Sequence, residues 1–200
     1  MARPRKDPSK KPTKERILTA ARQHFAHAGY SHGNLADIAT QAGITRPSLL
    51  YHFDTKERLY RTVVGSAMDE LAASLIGQMA VPGDFQTRLL TVTESFFVFL
   101  ADKPWFAPLI LRDFIDGKGP VREFLMQQGA AIIDAIESWI LDDGATIIPD
   151  GLNVRGALLQ VICHALVRES SPDPVRERLW GAFDDPLQYS RLIFFKGSGQ

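Results

Sequence analysis

One cysteine in 200 residues removes two chemistries at once. Cys163 has no partner in the chain for a disulfide, and no cysteine companions with which to build a zinc site. Long apolar runs are missing as well: nothing approaches the roughly 20 consecutive apolar residues that span a bilayer. No segment of useful length alternates apolar and polar residues as a half-buried strand does. The chain also lacks a glycine-rich phosphate loop, a G-x-S-x-G elbow and an H-E-x-x-H pair. Cys163 and His164 are neighbours, but on a helix they point about 100° apart and form no nucleophile–base pair. His24, His27, His32 and His52 read as surface residues, because only the first two share helical spacing and no carboxylate or cysteine accompanies them. The expectation is a protein without catalytic residues, metal or cofactor.

Net charge is also absent, but only as a sum. Residues 1–61 hold 12 Lys and Arg against 5 Asp and Glu, while residues 62–200 hold 11 against 18. A neutral chain with a basic end suits a polyanion bound at that end and another task at the other. Hydrophobic residues make up 45% of the chain, enough to bury a sizeable core. The basic start MARPRKDPSKKP has no apolar segment behind it, so a cytosolic protein is expected.

The basic end has a definite pattern. Residues 1–12 carry Arg3, Arg5, Lys6, Lys10 and Lys11 among prolines and read as a flexible arm. Thr13 can cap a helix in which Ile17, Leu18, Ala21, Phe25 and Ala28 share a face, and Gly29 is placed to end it in the left-handed conformation. Asn34 offers the next N-cap, with Asp37 near the positive end of the helix dipole. Helix Leu35–Ala42 buries Leu35, Ile38, Ala39 and Ala42 and stops at Gly43. Thr45 caps a third helix, and Pro47 falls in its first turn, where no backbone N–H partner is needed. Helix, glycine turn and short helix make a bihelical DNA-reading unit.

LADIATQAGITRPSLLYHFDTKERLY, residues 35–60, resembles the DNA-binding domain of the tetracycline-repressor (TetR) family, and the similarity reaches back through AARQHFAHAGY to cover about 13–61. The resemblance implies that helix Thr45–Phe53 enters the major groove. Arg46, beside Pro47, is suited to a bidentate contact with guanine. Asn34, Thr45 and Ser48 have short polar groups for phosphates or a base edge, and His52 and Lys56 fall where the family commonly holds the DNA backbone. The family often has Thr where Gly33 stands and Tyr where Leu50 stands. Here the tyrosine is Tyr51, which either takes over the phosphate contact or reads a base. Leu49 and Phe53 read as core.

Beyond Arg61 the pattern stays helical and holds 14 of the 19 aromatic residues. Helices are expected from Lys56 through Met79, over Phe85–Ala101, Trp105–Phe114, Val121–Leu141 and Asn153–Arg168, and over a weaker segment Pro174–Phe195 that Pro186 breaks or kinks. In TetR-like proteins this region encloses an effector pocket. The candidate lining is Phe96, Phe99, Trp105, Phe106, Phe114, Phe124, Trp139 and His164, with Arg112, Asp113 or Gln127 as further polar handles. By the same resemblance the last two helices form a homodimer interface.

The resulting expectation is an all-α chain: a flexible arm at 1–12, a three-helix helix-turn-helix DNA-binding domain at 13–61, and a larger helical effector-binding and dimerisation domain at 62–200. Its partners would be double-stranded operator DNA, a second copy of the chain and a small-molecule effector, with no membrane. The function implied is a ligand-responsive transcriptional regulator, usually a repressor released from a palindromic operator. The alternative is a dimeric DNA-binding regulator controlled by a protein partner.

Overall fold

In the computed structural model the described residues are 12–116, 120–181 and 185–195. Arg3 and Arg5, with most of the expected arm, lie outside them, as does the glycine-rich break at 117–119. The described residues form ten α-helices and no strand. The three N-terminal helices are α1 (Thr13–His32), α2 (Leu35–Gln41) and α3 (Arg46–His52).

Local chemistry sets most of the helix starts. The Asn34 side chain accepts the Ala36 N–H, Thr45 accepts that of Ser48, and Thr55 accepts that of Arg58. Each satisfies one of the donors that a helix N-terminus leaves open, an arrangement worth about 1 kcal/mol. Thr13, expected to cap α1, is instead its first residue, after Pro12 and without a side-chain cap. Gly29 does adopt positive φ (68°), but with ψ of 178°, so it kinks α1 rather than ending it, and one further turn runs to His32.

The fourth helix, α4 (Lys56–Met79), runs unbroken through the expected boundary at Arg61. Its first turns bury Leu59 and Tyr60 against the N-terminal helices, and its later turns bury Val63, Val64, Ala67, Met68, Leu71 and Leu75. Two halves of the molecule therefore share one rod about 36 Å long.

Around that rod lie α5 (Phe85–Asp102), α6 (Phe106–Asp116), α7 (Pro120–Asp143), α8 (Val154–Ser170), α9 (Asp173–Trp180) and α10 (Pro186–Phe194). The Asp84 carboxylate caps α5, accepting the Thr87 N–H and hydroxyl at 2.9 and 2.7 Å. Those bonds hold its pKa below the usual carboxylate range. Helix α4 packs against α5, α1 and α7, and α6 lies against α8, α1 and α7. The expected final segment is two helices, because α9 stops at Gly181 and α10 begins at Pro186, where the missing N–H prevents a longer helix from continuing. No side chain of α9 is buried; Trp180 Nε1 ties it to α8 by donating to His164 Nε2 at 2.7 Å.

Candidate nucleic-acid interface

The N-terminal helices are held by a small, fully buried core. Ile17, Phe25, Ile38, Leu49, Leu59 and Tyr60 have no exposed surface, and Phe53 has 2%. Burying each such side chain contributes roughly 1.5–3 kcal/mol. Leu49 and Phe53 thus fasten α3 by one face, as expected, and leave its other face to solvent.

That outer face carries Arg46 and Pro47 at its start and Tyr51 one turn later, all exposed. Tyr51 is 86% exposed and touches only the edge of the His52 ring, centroids 5.5 Å apart. Packing into the core is therefore not its role. Ser48, Leu50 and His52 are half-buried at the margins. Asn34 and Thr45 are exposed, but each has a side-chain oxygen engaged in capping.

Lys56 is placed differently from a plain phosphate ligand. Its ammonium donates to the carbonyls of Tyr30, Gly33 and Ser31 at 2.8, 3.1 and 3.3 Å, and lies 4.5 Å from the centre of the Tyr30 ring. All three ammonium protons are used to finish the C-terminal end of α1. What Lys56 keeps for an external anion is its backbone N–H, in the open first turn of α4.

Two further residues shape this surface without having been read from the sequence. His24 Nε2 accepts the Asn34 N–H at 3.1 Å, which requires the neutral ring with its proton on Nδ1 and fixes the entry to α2. The departure at Gly33 also has a cause in space rather than in φ, which is −61°. A Cβ there would stand 2.6 Å from Cε1 of the buried Phe25 ring.

Comparison with known proteins bears on this geometry. Residues 17–63 match the family described as "Bacterial regulatory proteins, tetR family". The N-terminal unit is a TetR-family domain. The HTH-type transcriptional activator FasR of Mycolicibacterium smegmatis is 32% identical over 84 residues, 42% of this chain and 38% of FasR. The HTH-type transcriptional repressor BepR of Brucella suis is 38% identical over 55 residues, 28% of this chain and 26% of BepR. The matches to these two relatives therefore span well under half of each. The fold is shared over a longer stretch. The fatty acid degradation regulator FadR of Bacillus halodurans superposes with a TM-score of 0.73 at 16% identity, covering 92% of this chain and 96% of FadR. FadR of Bacillus subtilis, solved with stearoyl-CoA, gives 0.67 at 18% identity, covering 90% and 97%. Among the described residues no helix is long and apolar enough to cross a membrane.

Behind the TetR-family domain, the aromatic residues expected to line a pocket do not converge. Phe99, Trp105 and Phe106 do meet, edge to face, with centroids 5.1 and 5.6 Å apart. Phe96 lies against Phe97, Trp139 against Phe85, and Phe124 under the Arg61 guanidinium. Phe114 is 58% exposed, and His164 is bonded to Trp180. A cleft of about 190 Å³ opens elsewhere, between α4 and α7, lined by Met68, Leu75, Ile76, Met79, Ile132 and Ile136 among others. Asp69 and Gln128 stand in the same lining. Counting aromatics could not find it, because its walls are aliphatic and methionine side chains.

Of the polar handles, Gln127 is exposed, while Arg112 and Asp113 face the TetR-family domain. Asp113 bonds Tyr30 and Tyr60, and Arg112 donates to the His27 carbonyl. Burial, and then the adjacent Asp113 carboxylate, push the Tyr60 phenol far above its usual range, so it stays a donor.

Proposed function

We propose that the chain is a homodimeric, sequence-specific DNA-binding transcriptional regulator whose operator affinity responds to a small molecule held in residues 62–200. The observation that carries the reading is the outer face of α3, where Arg46, Pro47 and Tyr51 stand free on a TetR-family domain whose other face is locked in the core. Arg46 matches the two acceptors of guanine, Tyr51 offers a ring and a hydroxyl, and Asn34, Thr45, Ser48, His52 and the Lys56 N–H surround them as phosphate-facing groups. The relatives include both an activator and a repressor, so the sign of regulation is left to experiment.

Dimerisation has its own support. Leu159, Cys163 and Val167 recur every four residues along α8 and are exposed, and Leu179 and Leu192 add apolar surface on α9 and α10. A two-fold dimer through this face presents two α3 helices to a palindrome. Leu159→Glu puts a charge at the middle of that surface. By sedimentation at micromolar concentration it is expected to be a monomer with an unchanged helical spectrum, and a persistent dimer would move the interface elsewhere.

The effector reading rests on the α4–α7 cleft, whose aliphatic walls suit an apolar molecule. The stearoyl-CoA of the Bacillus subtilis FadR structure belongs to that protein; it makes acyl compounds a first class to screen here. Control by a protein partner draws on the exposed Phe114 and Ile115 of α6.

Footprinting of the purified full-length chain on DNA flanking its own gene, and on a random-sequence library, tests the whole. A protected, roughly palindromic site supports the regulator reading; failure to enrich any sequence from the library sinks it.

A further inference from the structure

The TetR-family domain does not complete its own core. Phe25, Tyr30 and Tyr60 pack edge to face, with Tyr60 centroids 5.3 and 5.2 Å from the other two rings. Tyr60 has no exposed surface, and its hydroxyl leaves the cluster to donate to Asp113 Oδ2 at 2.6 Å. Asp113 lies outside residues 17–63, on α6. Its other oxygen, Oδ1, accepts the backbone N–H of Tyr30 at 3.0 Å.

One carboxylate therefore joins three helices: α6 carries it, α1 donates from Tyr30 and α4 donates from Tyr60. Asp113 is 2% exposed, and among the described residues no Lys, Arg or His is within ion-pair distance of it. Its charge is thus held by two neutral donors, both from the TetR-family domain. Hydrogen bonds to a buried charge are stronger than those between neutral groups, and more demanding of geometry. The neighbouring Arg112 donates to the His27 carbonyl, adding a second tie across the same seam.

The backbone of α1 is shaped to receive this contact. At Gly29 the φ of 68° disfavours any other residue, and a Cβ there would stand 2.9 Å from Arg112 Cδ and 3.0 Å from Asp113 Oδ1. The kink in α1 thus brings bare backbone against α6 and turns the Tyr30 N–H toward the carboxylate.

We propose that Asp113 is a positioning residue for operator recognition: it fixes the orientation of the reading unit on the rest of the chain, and so sets the half-site spacing that the dimer accepts. This rests on the dimeric-regulator reading above. Two α3 helices must reach half-sites about one DNA turn apart, so a small rotation at the Asp113 joint alters their separation while leaving each half-site contact intact. Any molecule that shifts α6 acts on DNA through the same three-helix joint, and the coupling is reciprocal.

The test compares full-length wild type with D113L, D113N and Y60F on three kinds of probe. These are the palindrome selected by the wild-type chain, the same half-sites with one base pair added or removed between them, and a single half-site beside scrambled sequence. Leucine fills the space but makes neither bond. Asparagine accepts from Tyr30 and can donate to the Tyr60 hydroxyl, so it is the conservative rescue. The expected result is a sharp spacing preference for wild type and D113N. For D113L and Y60F that preference should flatten by about tenfold, the scale of one lost bond to a charged group, with single half-site affinity unchanged. If D113L does not fold, Y60F carries the same comparison with one oxygen removed. An unaltered spacing profile in the folded variants overturns the proposal, as does an equal loss on all three probes. If the wild type selects no palindrome, the regulator reading falls first and the proposal with it.

Discussion

Gly33→Thr is expected to destabilise the chain by about 3 kcal/mol, the upper end for overpacking a core, and to lower its melting temperature by roughly 6–12 °C. Threonine is what the family often has here, so by resemblance alone the change should be harmless. The structure reverses that expectation, since the added Cβ meets Cε1 of a Phe25 ring that has no exposed surface into which to retreat. Calorimetry on Gly33→Thr, Phe25→Leu and the double variant gives the cycle. Phe25→Leu alone opens space and destabilises; combined with Gly33→Thr it should cost clearly less than the two separate losses added together. Strict additivity would mean that the ring yields at no cost and that Gly33 has another reason.

The second large effect is on DNA. Arg46→Ala with Tyr51→Ala should lower affinity for the selected operator about a hundredfold or more, since one good bidentate pair is worth roughly 1–3 kcal/mol of discrimination. Both side chains are exposed and neither holds the fold, so the melting curve should not move. Fluorescence anisotropy with the operator and with an unrelated duplex separates the roles. A residue that reads bases loses affinity for the operator alone, whereas a phosphate contact weakens both and reduces the salt dependence. A folded double variant that binds the operator normally would remove α3 as the reading helix.

What the sequence made legible follows the range of the interactions involved. Asn34 and Thr45 declared themselves as caps because a cap is decided within three residues. Leu49 and Phe53 could be assigned to the core from helical spacing alone. Tyr51 was ambiguous on the same evidence, because spacing gives a face but not its exposure. The interactions that escaped are long in sequence. The Lys56 ammonium reaches carbonyls 23 to 26 residues back, and Asp113 finds its donors 53 and 83 residues away. Residue type misled at Arg112 and Asp113, where two charged side chains beside an aromatic-rich segment resembled ligand handles. It misled again for the aromatics, most of which pack in pairs on one another and not around a shared space.

The unbroken α4 has a consequence for how such chains can be recombined. Joining a foreign reading unit at Arg61 cuts neither a loop nor a linker, but a helix in mid-turn. One residue too many at the splice advances everything behind it by about 1.5 Å and turns it by about 100°. Tyr60 would then no longer face the same side as Val63 and Val64, and α6 could not meet it. Seven residues come within about 20° of a whole number of turns, so grafts should succeed in steps of seven and fail between them. The two halves are coupled like parts keyed to one shaft, and what must be conserved across the join is phase rather than sequence.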